Sequence, residues 1–269
     1  MRQRVISALL MVPLIVFVYA GGLALAAVAL VVACIGAVEL INGLEHIKIR
    51  ASKAVSLGCI ALLYAILAFG IHMDVPGLVS ANIWMLWLFV SGASALLLIM
   101  AGIECDITGG AATLLVTAYI GYFSAHAVLI ERLPRGAALI WISLISAFCT
   151  DIFAYLVGTR FGRHKLSPRL SPHKTIEGAA GGLLGGMGCC ALFSVIFVPD
   201  LLMHSIAIGL IGSIAAQSGD LVASAFKRKT GIKDFGTLIP GHGGILDRFD
   251  SVLFTLPAVY YYAVFAIAS

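Results

Sequence analysis

Nine apolar runs, most of them about 20 residues long, decide what this chain can become. Polar and apolar positions do not alternate within the runs, so they read as membrane-spanning helices and not as strands of a barrel. The spans fall at about 5–20, 23–42, 54–72, 82–102, 110–130, 137–158, 179–198, 201–226 and 250–268. Their boundaries are turn formers: Gly21-Gly22, Asp74-Val75-Pro76-Gly77, Thr108-Gly109-Gly110, Pro134-Arg135-Gly136 and Pro199-Asp200. The first run follows Arg2 and Arg4, but its apolar character continues past Gly22, so it reads as a retained span and not as a cleaved leader. The expected fold is all-α and polytopic, a single integral-membrane domain over 1–269. Residues 1–135 would form a helical scaffold, and 136–269 would carry the chemistry.

Composition supports the membrane reading. The chain is 61% hydrophobic and 11% charged, where a soluble domain has about 25% charged residues. The net charge of +4 reflects topology and gives no reason to expect nucleic acid. With the N-terminus in the cytoplasm, 15 of the 17 basic residues lie on the cytoplasmic side, and only Arg132 and Arg135 lie outside. An odd number of spans then puts the C-terminus outside. The six cysteines form no C-x-x-C pair and read as small buried hydrophobes. His126 and His204 read as packing residues, and Trp84, Trp87 and Trp141 as core or interfacial aromatics.

Acids inside apolar spans are costly and mark function. Ser213, Gln217, Asp220, Ser224 and Lys227 are spaced 4, 3, 4 and 3 apart, which puts them on one helix face. That face looks onto a cavity, an ion or neighbouring helices; a seam sealed by an Asp–Lys pair is the plain structural alternative. Asp151 ends a similar stripe with Ser143, Ser146 and Thr150, with Tyr155 a turn later. Glu39 is either an ion-pair partner in the core or part of the site.

Two cytoplasmic loops are richer in charge than topology requires. In Pro240-Gly241-His242-Gly243-Gly244, the glycines let backbone N–H groups approach a ligand, and the next helix points its positive end at the same place. That is a phosphate cradle. Asp247 and Asp250 follow, three apart, and with Asp220 they offer hard oxygen ligands suited to one or two Mg²⁺. Helix-end stabilisation and pairing with Arg248 is their alternative role. The other loop, Gly158–Gly178, brings Arg163, Lys165, Arg169 and Lys174 with Ser167, Ser171 and Thr175, all phosphate-binding types. It is otherwise a topogenic loop that touches anionic lipid. Ser171-Pro172 suggests a turn into the next span.

The stretch S-x-F-K-R-x4-K-D-x-G-x2-I-P-G-H-G-G-I-x-D-R-F-D, from Ser224 to Asp250, resembles the signature of the phosphatidate cytidylyltransferase (CDP-diacylglycerol synthase) family. D-x2-A-Y-x2-G from Asp151 and S-P-x-K-T-x-E-G from Ser171 are similar to that family as well. The resemblance covers roughly the last 120 residues. It implies CTP, phosphatidic acid and Mg²⁺ as reactants and cofactor, and transfer of CMP to the lipid with release of pyrophosphate in phospholipid biosynthesis. It further implies a site on the cytoplasmic face of the cell membrane, and a homodimer. On this reading Asp220 and Asp247 bind metal, with Asp250 as a further ligand. Lys227, Arg228, Lys233 and Arg248 neutralise phosphates. Gly241, His242, Gly243 and Gly244 shape the cradle. Lys165, Lys174, Thr175, Ser224 and Asp151 hold substrate. Two other readings stay open. One is a CTP-dependent lipid kinase. The other is a transporter using Asp220, Asp151 and Glu39, although its charges would spread toward both membrane faces and here they gather on one. The D-G-x2-A-R signature of CDP-alcohol phosphotransferases is absent.

Overall fold

The computed structural model describes residues 16–72, 81–102, 106–238 and 243–267. The elements are helices α1 (Gly22–Glu45), α2 (Lys53–His72), α3 (Ala81–Ala101) and α4 (Ile107–Val116), a π-helical turn Thr117–Tyr122, then α5 (Phe123–Glu131) and α6 (Gly136–Phe161). Strands β1 (Lys165–Ser167) and β2 (Ser171–Thr175) follow, then α7 (Ile176–Phe197), a 3-10 turn Pro199–Leu201, α8 (Leu202–Thr230) and α9 (Leu246–Ala266).

Among the described residues, eight helical stretches are long and apolar enough to cross a membrane; α4, the π turn and α5 make one of them. They coincide with eight of the nine spans read from the sequence, and the protein is an all-α polytopic membrane protein. The expected span at 5–20 lies outside the described residues except for 16–20, which are helical. The break after it falls where the sequence puts it: Gly21 and Gly22 have φ of 63° and 53°, a backbone that favours glycine. Among the described residues the β1–β2 hairpin is the one sheet, antiparallel with Lys165 opposite Thr175 and Ser167 opposite Ser171. The sequence reading had a turn at Ser171-Pro172 but no strands.

The chain divides into two compact units, Met1–Val128 with Thr230–Arg248, and Leu129–Lys229 with Phe249–Ser269. In the first unit α1 and α2 pack through fully buried Leu40, Ile41, Ile60, Leu63 and Tyr64. Buried hydrogen bonds tie the helices where lipid offers no water: Tyr64 Oη donates to Ser124 Oγ at 2.9 Å, Ser52 N to Thr113 Oγ1 at 2.9 Å, and Trp87 Nε1 to Cys59 O at 2.8 Å. The segment 230–248 folds back onto α1. Ile232 and Phe235 lie over Gly43. Glu39 Oε1 accepts from Ile245 N at 3.0 Å and Oε2 from Leu246 N at 2.8 Å, which caps the start of α9. Gly236 and Gly244 leave room for that carboxylate.

In the second unit α6 and α7 are antiparallel and touch along a seam of small residues. Gly178 meets Ala154 and Gly158, Gly181 meets Val157, Gly182 meets Thr150 and Ala154, and Gly185 meets Phe153. The Thr175 side chain accepts from Gly178 N at 3.1 Å and caps α7. Glu177 accepts from Arg163 N at 3.0 Å and His164 N at 3.2 Å, and clamps the entry to the hairpin. Arg228 Nε donates to Leu170 O at 3.2 Å and ties the hairpin tip to α8. The polar stripe on α8 faces its neighbours: Thr150 Oγ1 donates to Ser213 Oγ at 2.6 Å, and Gln217 Nε2 to Ala179 O at 3.2 Å.

Two stability predictions follow from these contacts. A Cβ at Gly182 would lie 2.9 Å from Thr150 O, whereas one at Gly188 meets nothing within 4 Å. Gly182→Leu therefore lowers the thermal midpoint in detergent by about 4 °C or more, and Gly188→Ala leaves it unchanged. Glu39→Leu strands two backbone N–H groups, at about 1–3 kcal/mol each. Its signature is faster amide hydrogen exchange at 243–246, with the α6–α7 seam unaffected.

Candidate functional site

A pocket of about 530 Å³ opens within the second unit. Helix α6 contributes Asp151, Ala154, Tyr155, Gly158 and Thr159. The hairpin contributes Lys165, Leu166, His173, Lys174 and Thr175, α7 adds Gly178 and Ala179, and α8 adds Gln217 and Asp220. Sequence elements far apart thus converge because the α6–α7 seam holds the hairpin over the end of α8. Of the residues picked from sequence, Asp151, Lys165, Lys174, Thr175 and Asp220 line this pocket. His173 and Thr159 line it too and were not singled out, since neither stands in a charged or periodic pattern.

The charges around the pocket are paired within the unit. Asp220 Oδ2 lies 2.5 Å from Lys174 Nζ. The sequence puts Lys227 on the same helix face as Asp220, but the ammonium against Asp220 Oδ2 comes from β2. Ser224 Oγ is 3.5 Å from Asp220 Oδ1, at the outer limit of a hydrogen bond. Asp151 Oδ2 accepts from Ser251 Oγ at 3.0 Å, and Asp250 Oδ1 from Ser251 N at 2.8 Å. Asp250 is buried, and its charged neighbours are Asp220, Lys227 and Asp151. Three carboxylates in apolar surroundings therefore share two ammonium groups. Ser251, which touches two of the acids, was missed because a serine after an acid carries no pattern of its own.

The donor set fits a hard cation. Among the described residues no three His, Cys, Asp or Glu side chains form a metal cage. Mg²⁺ usually takes one or two carboxylates and completes its shell with water and phosphate oxygens, and Asp220 with Asp250 is such a set.

In the first unit, Asp247 Oδ2 accepts from Phe235 N at 2.8 Å and Gly244 N at 3.0 Å. Together with the Glu39 contacts, this changes the expected cradle. The N–H groups of Gly244, Ile245 and Leu246, which the sequence reading aimed at a phosphate, are taken by carboxylates of the chain itself. Gly243 has φ of 86° and lies against Asp234 and Asp247. Gly241 and His242 lie outside the described residues. Lys233 is exposed, and Arg248 Nε is buried with no hydrogen-bond partner among the described residues. Among the described residues Glu39 pairs with backbone N–H groups and with no cation, and so folds the loop.

The family model described as the cytidylyltransferase family matches residues 2–266. The phosphatidate cytidylyltransferase of Bacillus subtilis (strain 168) is 40% identical over 149 residues, covering 55% of each chain. Those of Staphylococcus saprophyticus and Staphylococcus aureus (strain COL) are 43% identical over 146 residues and 42% over 150, each covering 54% of this chain and 55% of the relative. The chain spans about half the length of the curated relatives it matches. With the family model matched along nearly its whole length, the chain belongs to the cytidylyltransferase family.

Proposed function

We propose that the protein is a nucleotidyltransferase that moves CMP from CTP to phosphatidic acid, giving CDP-diacylglycerol and pyrophosphate. The observation that carries this reading is the pocket that gathers Asp151, Lys165, Lys174, Thr175 and Asp220 in a chain of this family. Exposed apolar side chains of α6, Ile152, Tyr155 and Leu156, flank it and suit the acyl chains of a lipid. The names of the relatives point to the same substrate.

A phosphate oxygen of phosphatidic acid attacks the α-phosphorus of CTP, and pyrophosphate leaves with the electron pair of the broken bond. Such a reaction depends on positioning and on neutralising phosphate charge more than on covalent chemistry. Lys165 and Lys174 hold phosphate groups over the pocket. Lys227 lies beside Asp250 and adds positive charge for the phosphates. Arg228 fixes the hairpin through Leu170 and lends its charge to the same region. The motif assigns Lys233, Arg248 and the 241–244 turn to phosphate binding as well. Asp220 and Asp250 are the proposed Mg²⁺ ligands, with Asp247 assigned to metal by the motif. When bound, Mg²⁺ supplies charge neutralisation and orientation of phosphate oxygens.

The site faces the cytoplasm across the cell membrane in this reading, as the basic-residue bias requires. A cysteine at the exposed position Arg169 then reacts with a membrane-impermeant maleimide in inside-out vesicles and stays unlabelled in right-side-out ones. The activity itself is tested by incubating purified protein with labelled CTP, phosphatidic acid and Mg²⁺. A CMP unit on the lipid is the expected product; a lipid gaining one phosphate from CTP would make it a kinase. Asp220→Asn and Asp247→Asn each lower turnover at least 100-fold while the protein still inserts and folds. Near-normal rates in either variant remove that acid from the site.

A further inference from the structure

Lys174 and Asp220 form an ion pair inside the pocket, with side chains 25% and 30% exposed. The Nζ is buried, and among the described residues the acceptor it lies against is Asp220 Oδ2. An ammonium carries three N–H donors, and a single carboxylate oxygen takes one of them. Burying a donor that way is costly unless an acceptor arrives. The pair is therefore complete in charge and incomplete in hydrogen bonding, and it stands at the wall of the pocket.

The surroundings say what would complete it. Asp220, Asp151 and Asp250 are three negative groups of the same unit, so another carboxylate is an unsuitable partner. A phosphate oxygen held beside a divalent cation suits both members: the ammonium gains acceptors, and the cation replaces the ammonium at Asp220. The backbone does not need to move. Lys174 sits on β2, whose ends are fixed by the pairing of Ser167 with Ser171 and of Lys165 with Thr175, while Thr175 caps α7. A four-carbon stem on a fixed strand lets the ammonium swing.

We propose that Lys174 is a built-in counter-ion that occupies the cation position at Asp220, so that a divalent cation reaches Asp220 only when a phosphate group draws the ammonium away. This rests on reading the pocket as a site of phosphate chemistry. It orders binding: phosphate-bearing nucleotide and cation enter together, and the empty pocket does not collect cations.

The test measures binding to the full-length protein in detergent. Mn²⁺ alone is titrated against wild type, Lys174→Met, Lys174→Gln and Lys174→Arg, and free Mn²⁺ is read by electron paramagnetic resonance. Both neutral variants bind Mn²⁺ at least tenfold more tightly than wild type, Lys174→Arg does not, and the gain disappears when Asp220→Asn is added. Tripolyphosphate, titrated separately in EDTA, binds the neutral variants at least tenfold more weakly than wild type. Thermal midpoints identify a variant that fails to fold, and the other neutral variant then decides. Equal or weaker Mn²⁺ binding in the folded neutral variant, or a gain that survives Asp220→Asn, overturns the counter-ion. Absence of CDP-lipid product from wild type overturns the reaction but leaves the Mn²⁺ result standing, so the two failures are distinguishable.

Discussion

The contact on which the second unit depends is made of missing side chains. In a bilayer the apolar effect does not drive helices together, because lipid is as apolar as leucine; close packing and hydrogen bonds must do it. Along α7, Gly178, Gly181, Gly182 and Gly185 let α6 approach so closely that a Cβ at any of them would strike α6. The chain between the two helices has to reverse over a short distance, and the hairpin is the result. Gly158 and Gly162 also lie against the Thr175 side chain, so the end of β2 is fixed by the same crossing. Lys174, the preceding residue, inherits its place from that contact, as does the pocket beneath it.

Electrostatics then acts on a scaffold already set. An unpaired charge in apolar surroundings costs several kcal/mol. Asp220, Asp151 and Asp250 are tolerated because each has a partner: an ammonium, a serine hydroxyl, or a serine N–H with Lys227 close by. Lys165 stands at the same pocket as Asp151, Lys174 and Asp220, so acids and lysines are gathered in one place. A region built this way offers carboxylates to a cation and ammonium groups to a phosphate, which is what the proposed reaction needs. A seam built only to glue helices has no need of such charges, and the hydroxyl pair Thr150–Ser213 nearby performs that task without charge.

How much of this was legible in the sequence depends on the range of the interaction. Spans are written locally in length and apolarity, and so is the glycine break at Gly21-Gly22. The α8 stripe is local too, because a spacing of three and four residues needs only one helix. The partner of Asp220 is not local: Lys227 shares its face, but the ion pair goes to Lys174, through a strand that the α6–α7 crossing positions. The strands are short, and their Lys, Ser, Pro and His residues carry no apolar alternation to announce them. Glu39 was hidden for another reason. Its acceptors meet backbone N–H groups more than 200 residues away, and backbone groups leave no mark on a sequence.

The turn at 243–246 shows that one observation about glycine can support more than one partner. Glycine was read as a way to expose N–H groups to a phosphate. In the structure Gly236 and Gly244 are small because a carboxylate fills the space beside them, and the N–H groups go to Glu39 and Asp247. This separates two acids that looked alike. The Asp247 oxygen that is placed here holds two backbone donors, which cannot leave without unfolding the turn. Asp220 is held by a flexible ammonium, which can leave without disturbing any strand or helix. In the reaction proposed above, exchange of partners therefore falls to Asp220, and Asp247 acts from a fixed position.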